Sequence, residues 1–90
     1  MRYPTAPLTF LLATDRLPAR RRPRMNIWVN GREMQVPDAI TVRDLIETLS
    51  LTGRPTAVEV NRSIVPRLRH GDTPLCANDR VEVVTLVGGG

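Results

Sequence analysis

Polar and apolar residues alternate along 26–30, which places Ile27 and Val29 on one face of a strand. The pair Asn30-Gly31 follows, a composition suited to a tight hairpin turn with positive φ. Residues 32–36 return as a second strand with Met34 and Val36 inward, and Pro37-Asp38 ends it. The period then changes. Val42, Leu45, Ile46 and Leu49 fall at i, i+3, i+4 and i+7, which predicts a helix with one apolar stripe. Thr41 is placed to cap it, Asp44 supplies the carboxylate of a capping box, and Ile40 with Leu45 fits a hydrophobic staple. Gly53 and Pro55 are expected to close the helical segment. Alternation resumes along 57–61 with Val58 and Val60 inward. Residues 64–66 read as a short edge strand, because Pro66 has no N–H for a central ladder. Residues 67–76 read as irregular, Asn78-Asp79 as a turn, and 81–86 as the last strand.

A hairpin, a helix and two or three further strands predict a two-layer α+β domain, with a sheet of four to five strands and one main helix on one face. Residues 25–90 form a chain close to the lower size limit for an unstapled core. Trp28 is the only aromatic residue in that stretch, so the core has to be aliphatic.

Charge divides the chain in two. The protein has 90 residues and a net charge of +4. Residues 1–24 carry six Arg and one acid, whereas residues 25–90 carry seven Arg and eight acids. The basic character therefore belongs to the first quarter, which weakens a nucleic-acid reading for the domain itself. Residues 1–24 also hold four of the eight Pro. Their apolar stretch, 8–13, is short and is followed by Asp15 and Arg20-Arg21-Arg22, unlike a secretory signal. This segment reads as a basic Pro/Arg-rich leader, either disordered or lying ahead of a true start at Met25.

Composition removes several chemistries. There is no Lys, which excludes a Schiff base, a P-loop lysine and an acceptor lysine. One Cys and one His exclude an internal disulfide and an ordinary all-protein zinc site. No apolar run approaches the ~20 residues of a membrane span, and the expected location is the cytoplasm.

The chain ends Val87-Gly88-Gly89-Gly90 directly after the last predicted strand. Three glycines present no Cβ to a narrow channel. Residues 87–90 reach at most roughly 13 Å, enough to enter another protein's active site. The group delivered is the Gly90 α-carboxylate, a poor electrophile that needs activation, most simply by adenylation. The chain has no phosphate-cradling loop, so no cofactor is expected on it and ATP has to be used by a partner enzyme.

Several blocks carry a resemblance. These are Met25-Asn26-Ile27 with Val29-Asn30-Gly31, Thr41-Val42 with Asp44-Leu45, Ala57-Val58-Glu59-Val60-Asn61, Ile64-Val65-Pro66-Arg67, Asp79-Arg80-Val81-Glu82-Val83-Val84 and Val87-Gly88-Gly89-Gly90. In this order they resemble the ThiS family of thiamine-biosynthesis sulfur carriers, over residues 25–90 and not the leader. The chain departs from the family pattern at Asn78 and Arg62, turn positions where Gly is usual or common. The resemblance implies a ubiquitin-like β-grasp fold, in agreement with the element order. It further implies a protein co-substrate rather than an enzyme, with no catalytic residue and no metal. Gly90 would be adenylated by a ubiquitin-activating-type, ThiF-like adenylyltransferase, with Gly89, Gly88 and Val87 as its tail. Sulfur from a cysteine desulfurase or related donor would convert Gly90 to a thiocarboxylate. A ThiG-like thiazole synthase would take that sulfur.

Other residues have plainer readings. Cys76, between Leu75 and Ala77, reads as a small hydrophobe and not as the sulfur carrier. His70 reads as a surface loop histidine, and Arg67 and Arg69 as a solvated pair. Ser50 and Ser63 lack a nucleophile-elbow context. Alternation turns Trp28, Val84 and Leu86 away from the helix, and they are expected to form one apolar patch that docks on the activating enzyme. Three alternatives remain open: a sulfur carrier for molybdopterin, tRNA thiolation or cysteine synthesis; a ubiquitin-like protein modifier; and a nucleic-acid module that uses the leader. No nucleic-acid or membrane partner is expected.

Overall fold

The computed structural model describes residues 17–86 of the chain. The strands are β1 (Arg24–Val29), β2 (Arg32–Pro37), β3 (Thr56–Val60), β4 (Ser63–Val65) and β5 (Arg80–Thr85), and the helix is α1 (Val42–Thr48). Short 3-10 turns occupy Ala19–Arg21 and Arg67–Asp72. Sheet order is β2-β1-β5-β3-β4. The central pair, β1 with β5, is parallel, and the three outer pairings are antiparallel. This mixed five-stranded sheet with one main helix on one face is the β-grasp arrangement.

The alternation in the sequence sets which face is covered. Ile27, Val36, Val58, Val60 and Val81 are almost fully buried, together with Val42 and Leu45 of α1. Leu75, from the stretch expected to be irregular, completes this aliphatic core at 1% exposure. That stretch is anchored to the start of α1: Leu75 N–H donates to Ile40 O at 2.8 Å, and Val42 N–H to Thr73 O at 2.9 Å.

The helix start follows the sequence reading. Asp44 N–H donates to Thr41 Oγ1 at 3.1 Å and Thr41 N–H to Asp44 Oδ2 at 3.0 Å, a complete capping box. The helix stops earlier than Gly53, however. Ser50 N–H donates to Glu47 O at 2.9 Å and Leu51 N–H to Ile46 O at 3.0 Å, the paired bonds of a Schellman motif. Ser50 takes the left-handed position, φ 61°, that glycine usually fills.

Two-residue turns join the hairpins. Asn30 (φ 51°) and Gly31 (φ 84°) link β1 to β2, and Asn61 (φ 50°) and Arg62 (φ 71°) link β3 to β4. Asn78 has φ 68°. Arg62 and Asn78 thus stand at positive φ where the ThiS pattern favours glycine, which accounts for that preference.

β1 begins at Arg24, one residue before the boundary at 25 read from the sequence, and Arg24 pairs with Pro37. Upstream of it, Asp38 N–H donates to Pro23 O at 2.8 Å and Arg22 Nη1 to Asp38 O at 3.3 Å. The last residues of the leader segment are therefore tied to the domain. The remainder of the leader, 1–16, lies outside the described residues, as do Val87, Gly88, Gly89 and Gly90.

Candidate functional site

The tail is launched from the end of β5, so whatever fixes β5 fixes the tail base. Thr85 pairs with Thr56, and Leu86 N–H donates to Pro55 O at 2.8 Å, extending the ladder to the last described residue. At its other end β5 is held by side chains. Asn61 Nδ2 donates to Asp79 Oδ1 at 2.9 Å, and Arg80 N–H donates to Asn61 Oδ1 at 2.9 Å. Asp79, 9% exposed, also accepts from Cys76 N–H through Oδ2 at 2.8 Å. Its carbonyl accepts from Trp28 N–H at 2.8 Å. On the β1 side, Asn30 bonds to both backbone polar groups of Val83. Asn30, Asn61 and Asp79 are polar residues within the quoted sequence blocks, and their side chains set the placement of β5. The sequence reading took Asn30 and Asp79 as turn formers and Asn61 as the end of a strand.

The face of the sheet away from α1 is open. Trp28 lies there half-buried, with the Arg80 guanidinium carbon 5.5 Å from its ring centroid, a cation–π contact. Val84 (55% exposed) and Leu86 (51%) lie on the same face. The expectation of one patch formed by Trp28, Val84 and Leu86 is corrected by the register. Parallel pairing sets Trp28 opposite Arg80, at the start of β5. Val84 is four residues further along, roughly 13 Å. The charged side chains of Arg80 and Glu82 intervene on that face. Val84 instead lies opposite Ala57. Beside them Ile64, 73% exposed on β4, extends the apolar surface, and a groove of about 490 Å³ runs past Ala57, Ile64, Pro66 and Val84. Ile64 was legible as an edge residue, but its exposure follows from its pairing opposite outward-facing Glu59.

Glu59 and Glu82 are direct cross-strand partners on this open face. Like charges in that relationship oppose pairing, so this pair is kept at a cost to the fold.

His70 is not a surface histidine. It is 7% exposed, with Nε2 3.2 Å from Val65 O, because the 3-10 turn folds it under the β4 end. Cys76 is partly buried and in no disulfide. Arg69 Nε lies 3.9 Å from Asp72 Oδ2, an exposed pair of little energetic weight. Ser50 serves the helix end and Ser63 opens β4. Among the described residues no three His, Cys, Asp or Glu side chains gather as metal ligands, and no helix is long and apolar enough to cross a membrane.

A β-grasp domain whose fifth strand feeds a glycine-rich end belongs to the ubiquitin-like class. Within that class, the model of the ThiS family matches residues 16–90. The sulfur carrier protein ThiS of Bacillus subtilis is 33% identical over 63 residues, spanning 69% of this chain and 96% of that protein. The thiazole synthase of Paramagnetospirillum magneticum is 33% identical over 66 residues, 73% of this chain, and the chain spans 20% of that protein's length. The crystal structure of the thiamine biosynthesis protein ThiS from Geobacter metallireducens aligns with a TM-score of 0.64 at 29% identity, covering 73% of this chain and all of that one. The chain belongs to the ThiS family.

Proposed function

We propose that this protein is a sulfur carrier for the thiazole of thiamine, and that its working group is the Gly90 carboxylate. The observation that carries the reading is the placement of β5 as a central strand. It is clamped by Asn30 and Asn61 and bonded through Leu86 to Pro55, so that a rigid body presents the glycine-rich end. Family membership and the similarity to the Bacillus subtilis carrier support it.

In this reading a Gly90 carboxylate oxygen attacks the α-phosphorus of ATP on a ThiF-like adenylyltransferase. An acyl-adenylate forms and pyrophosphate leaves. A persulfide from a cysteine desulfurase or related donor displaces AMP, and cleavage of its S–S bond by a thiol leaves the thiocarboxylate. A ThiG-like thiazole synthase then takes the sulfur. Sequence similarity to a fifth of the thiazole synthases of Paramagnetospirillum magneticum and Magnetococcus marinus favours that acceptor over the other sulfur pathways. The carrier supplies no catalytic residue. Val84, Leu86 and Ile64, at the tail end of the open face, dock the activating enzyme, with Trp28 as a separate contact.

ATP–pyrophosphate exchange with the activating enzyme tests the proposal. One residue added after Gly90 should abolish exchange while the fold is unchanged. Exchange that persists with the blocked terminus would defeat the mechanism.

A further inference from the structure

A second groove, of about 270 Å³, lies on the helix side of the sheet between α1, the 51–54 loop and the 3-10 turn that follows β4. Arg43, Arg54 and Arg67 line it against a single acid, Glu47. Residues 25–90 hold seven Arg and eight acids, so a cluster of three Arg does not follow from composition. Among the described residues none of the three forms an ion pair.

Arg43, although exposed, leans toward the 3-10 turn there. Glu47 lies four residues on, at the spacing of a helical ion pair. The Arg43 guanidinium lies over Gly71 instead: a Cβ at that glycine would meet Cζ at 2.9 Å and the terminal nitrogens at 3.0 and 3.1 Å. Gly71 is not among the positive-φ glycines, so its backbone does not demand glycine. The missing Cβ makes room for the guanidinium.

The groove adjoins the tail base. Arg54 precedes Pro55, whose carbonyl holds Leu86, and Thr56 in the groove wall pairs with Thr85. Glu59 and Glu82 occupy the opposite face. Thr56, Arg67 and His70 line both this groove and the open-face groove, so the two meet along the β3–β4 edge beside the tail base at Leu86. In the function proposed above, two enzymes must grip the same tail in turn, and the open face serves the activating enzyme.

We propose that the Arg43–Arg54–Arg67 groove is the docking site for an acidic rim on the sulfur-accepting thiazole synthase. The inference rests on the reading of Gly90 as the sulfur-bearing terminus. Carboxylates at the mouth of the acceptor's channel meet guanidiniums that can bind them bidentately. Because these charges are exposed, their attraction is screened by salt.

Arg67 also borders the open-face groove, so the test uses the full chain with Arg43→Gln and Arg54→Gln combined. Its dissociation constant for thiazole synthase should rise about tenfold or more, and the salt dependence of binding should flatten. Pyrophosphate exchange with the activating enzyme should stay at the wild-type level. The matching Arg→Lys variant, which keeps the charge, should bind the synthase better than the Gln variant. Wild-type affinity for the synthase in the Gln variant would overturn the inference, as would an equal loss toward both enzymes. Failure of the wild-type chain to be adenylated would instead defeat the reading of the tail.

Discussion

The carboxamide of Asn30 grips Val83 by both of its backbone polar groups. Nδ2 donates to Val83 O at 3.1 Å, and Val83 N–H donates to Oδ1 at 2.8 Å. Asn30 ends β1 in a left-handed turn, so its side chain continues the parallel ladder to β5 after the β1 backbone has turned away. Asn30→Ala should lower unfolding free energy by about 2 kcal/mol, from two lost hydrogen bonds and an unfavourable φ. Asn30→Gly should cost less, because it relieves the φ term alone. Denaturant melts of the two variants separate the contributions. Equal stability of wild type and Asn30→Ala would show that the clamp is inert.

Ser50 and Arg62 are L-residues at φ 61° and 71°. Glycine at either position should raise stability by roughly 1 kcal/mol, the left-handed strain outweighing the added chain entropy. The two sites are remote enough for the gains to add. Chemical denaturation of the single and double variants checks this, and a loss of stability at both sites would contradict it.

Truncation should distinguish two points in the leader. Deletion of 1–16 should change stability by less than about 1 kcal/mol. Deletion of 1–24 removes Arg24 from β1 and the Pro23 carbonyl that accepts Asp38 N–H, and should cost about 1–2 kcal/mol. Thermal melts of both truncated chains provide the comparison. If both melt as the full chain does, the contacts at 22–24 contribute nothing.

The division of the open face predicts unequal effects on the activating enzyme. Val84→Asp, at the tail end, should weaken binding by about 2 kcal/mol, whereas Trp28→Ala should weaken it by less than about 1 kcal/mol. Calorimetric titration of each variant measures both. The reverse order would restore Trp28 as the centre of docking.

Much of the architecture was legible because each element carried a local signal. The Thr41–Asp44 capping box, the Asn30-Gly31 turn and the alternation at Val58 and Val60 each point to one structure. The parallel pairing of β1 with β5 has no local signal, and it is this register that separates Trp28 from Val84. His70 was misread for a similar reason: its burial is set by the fold of the 67–72 turn under β4, which composition does not encode. Ser50 closes α1 through a backbone motif that most often uses glycine, so Gly53 drew the boundary too late. The Arg43, Arg54 and Arg67 groove joins a helix, a loop and a turn far apart in sequence. The reading of Gly90 rests on its place in the sequence, outside the described residues.

The central claim is that Gly90 carries sulfur, and intact-mass spectrometry of the protein from its native host addresses it most directly. The account predicts a species that ends at Gly90 and is heavier by one sulfur-for-oxygen exchange, confined to the C-terminal fragment and lost on incubation with thiazole synthase and its substrates. A chain found only with an unmodified Gly90 carboxylate when the activating enzyme, sulfur donor and ATP are all supplied, or one joined through Gly90 to another protein by an amide bond, would contradict it.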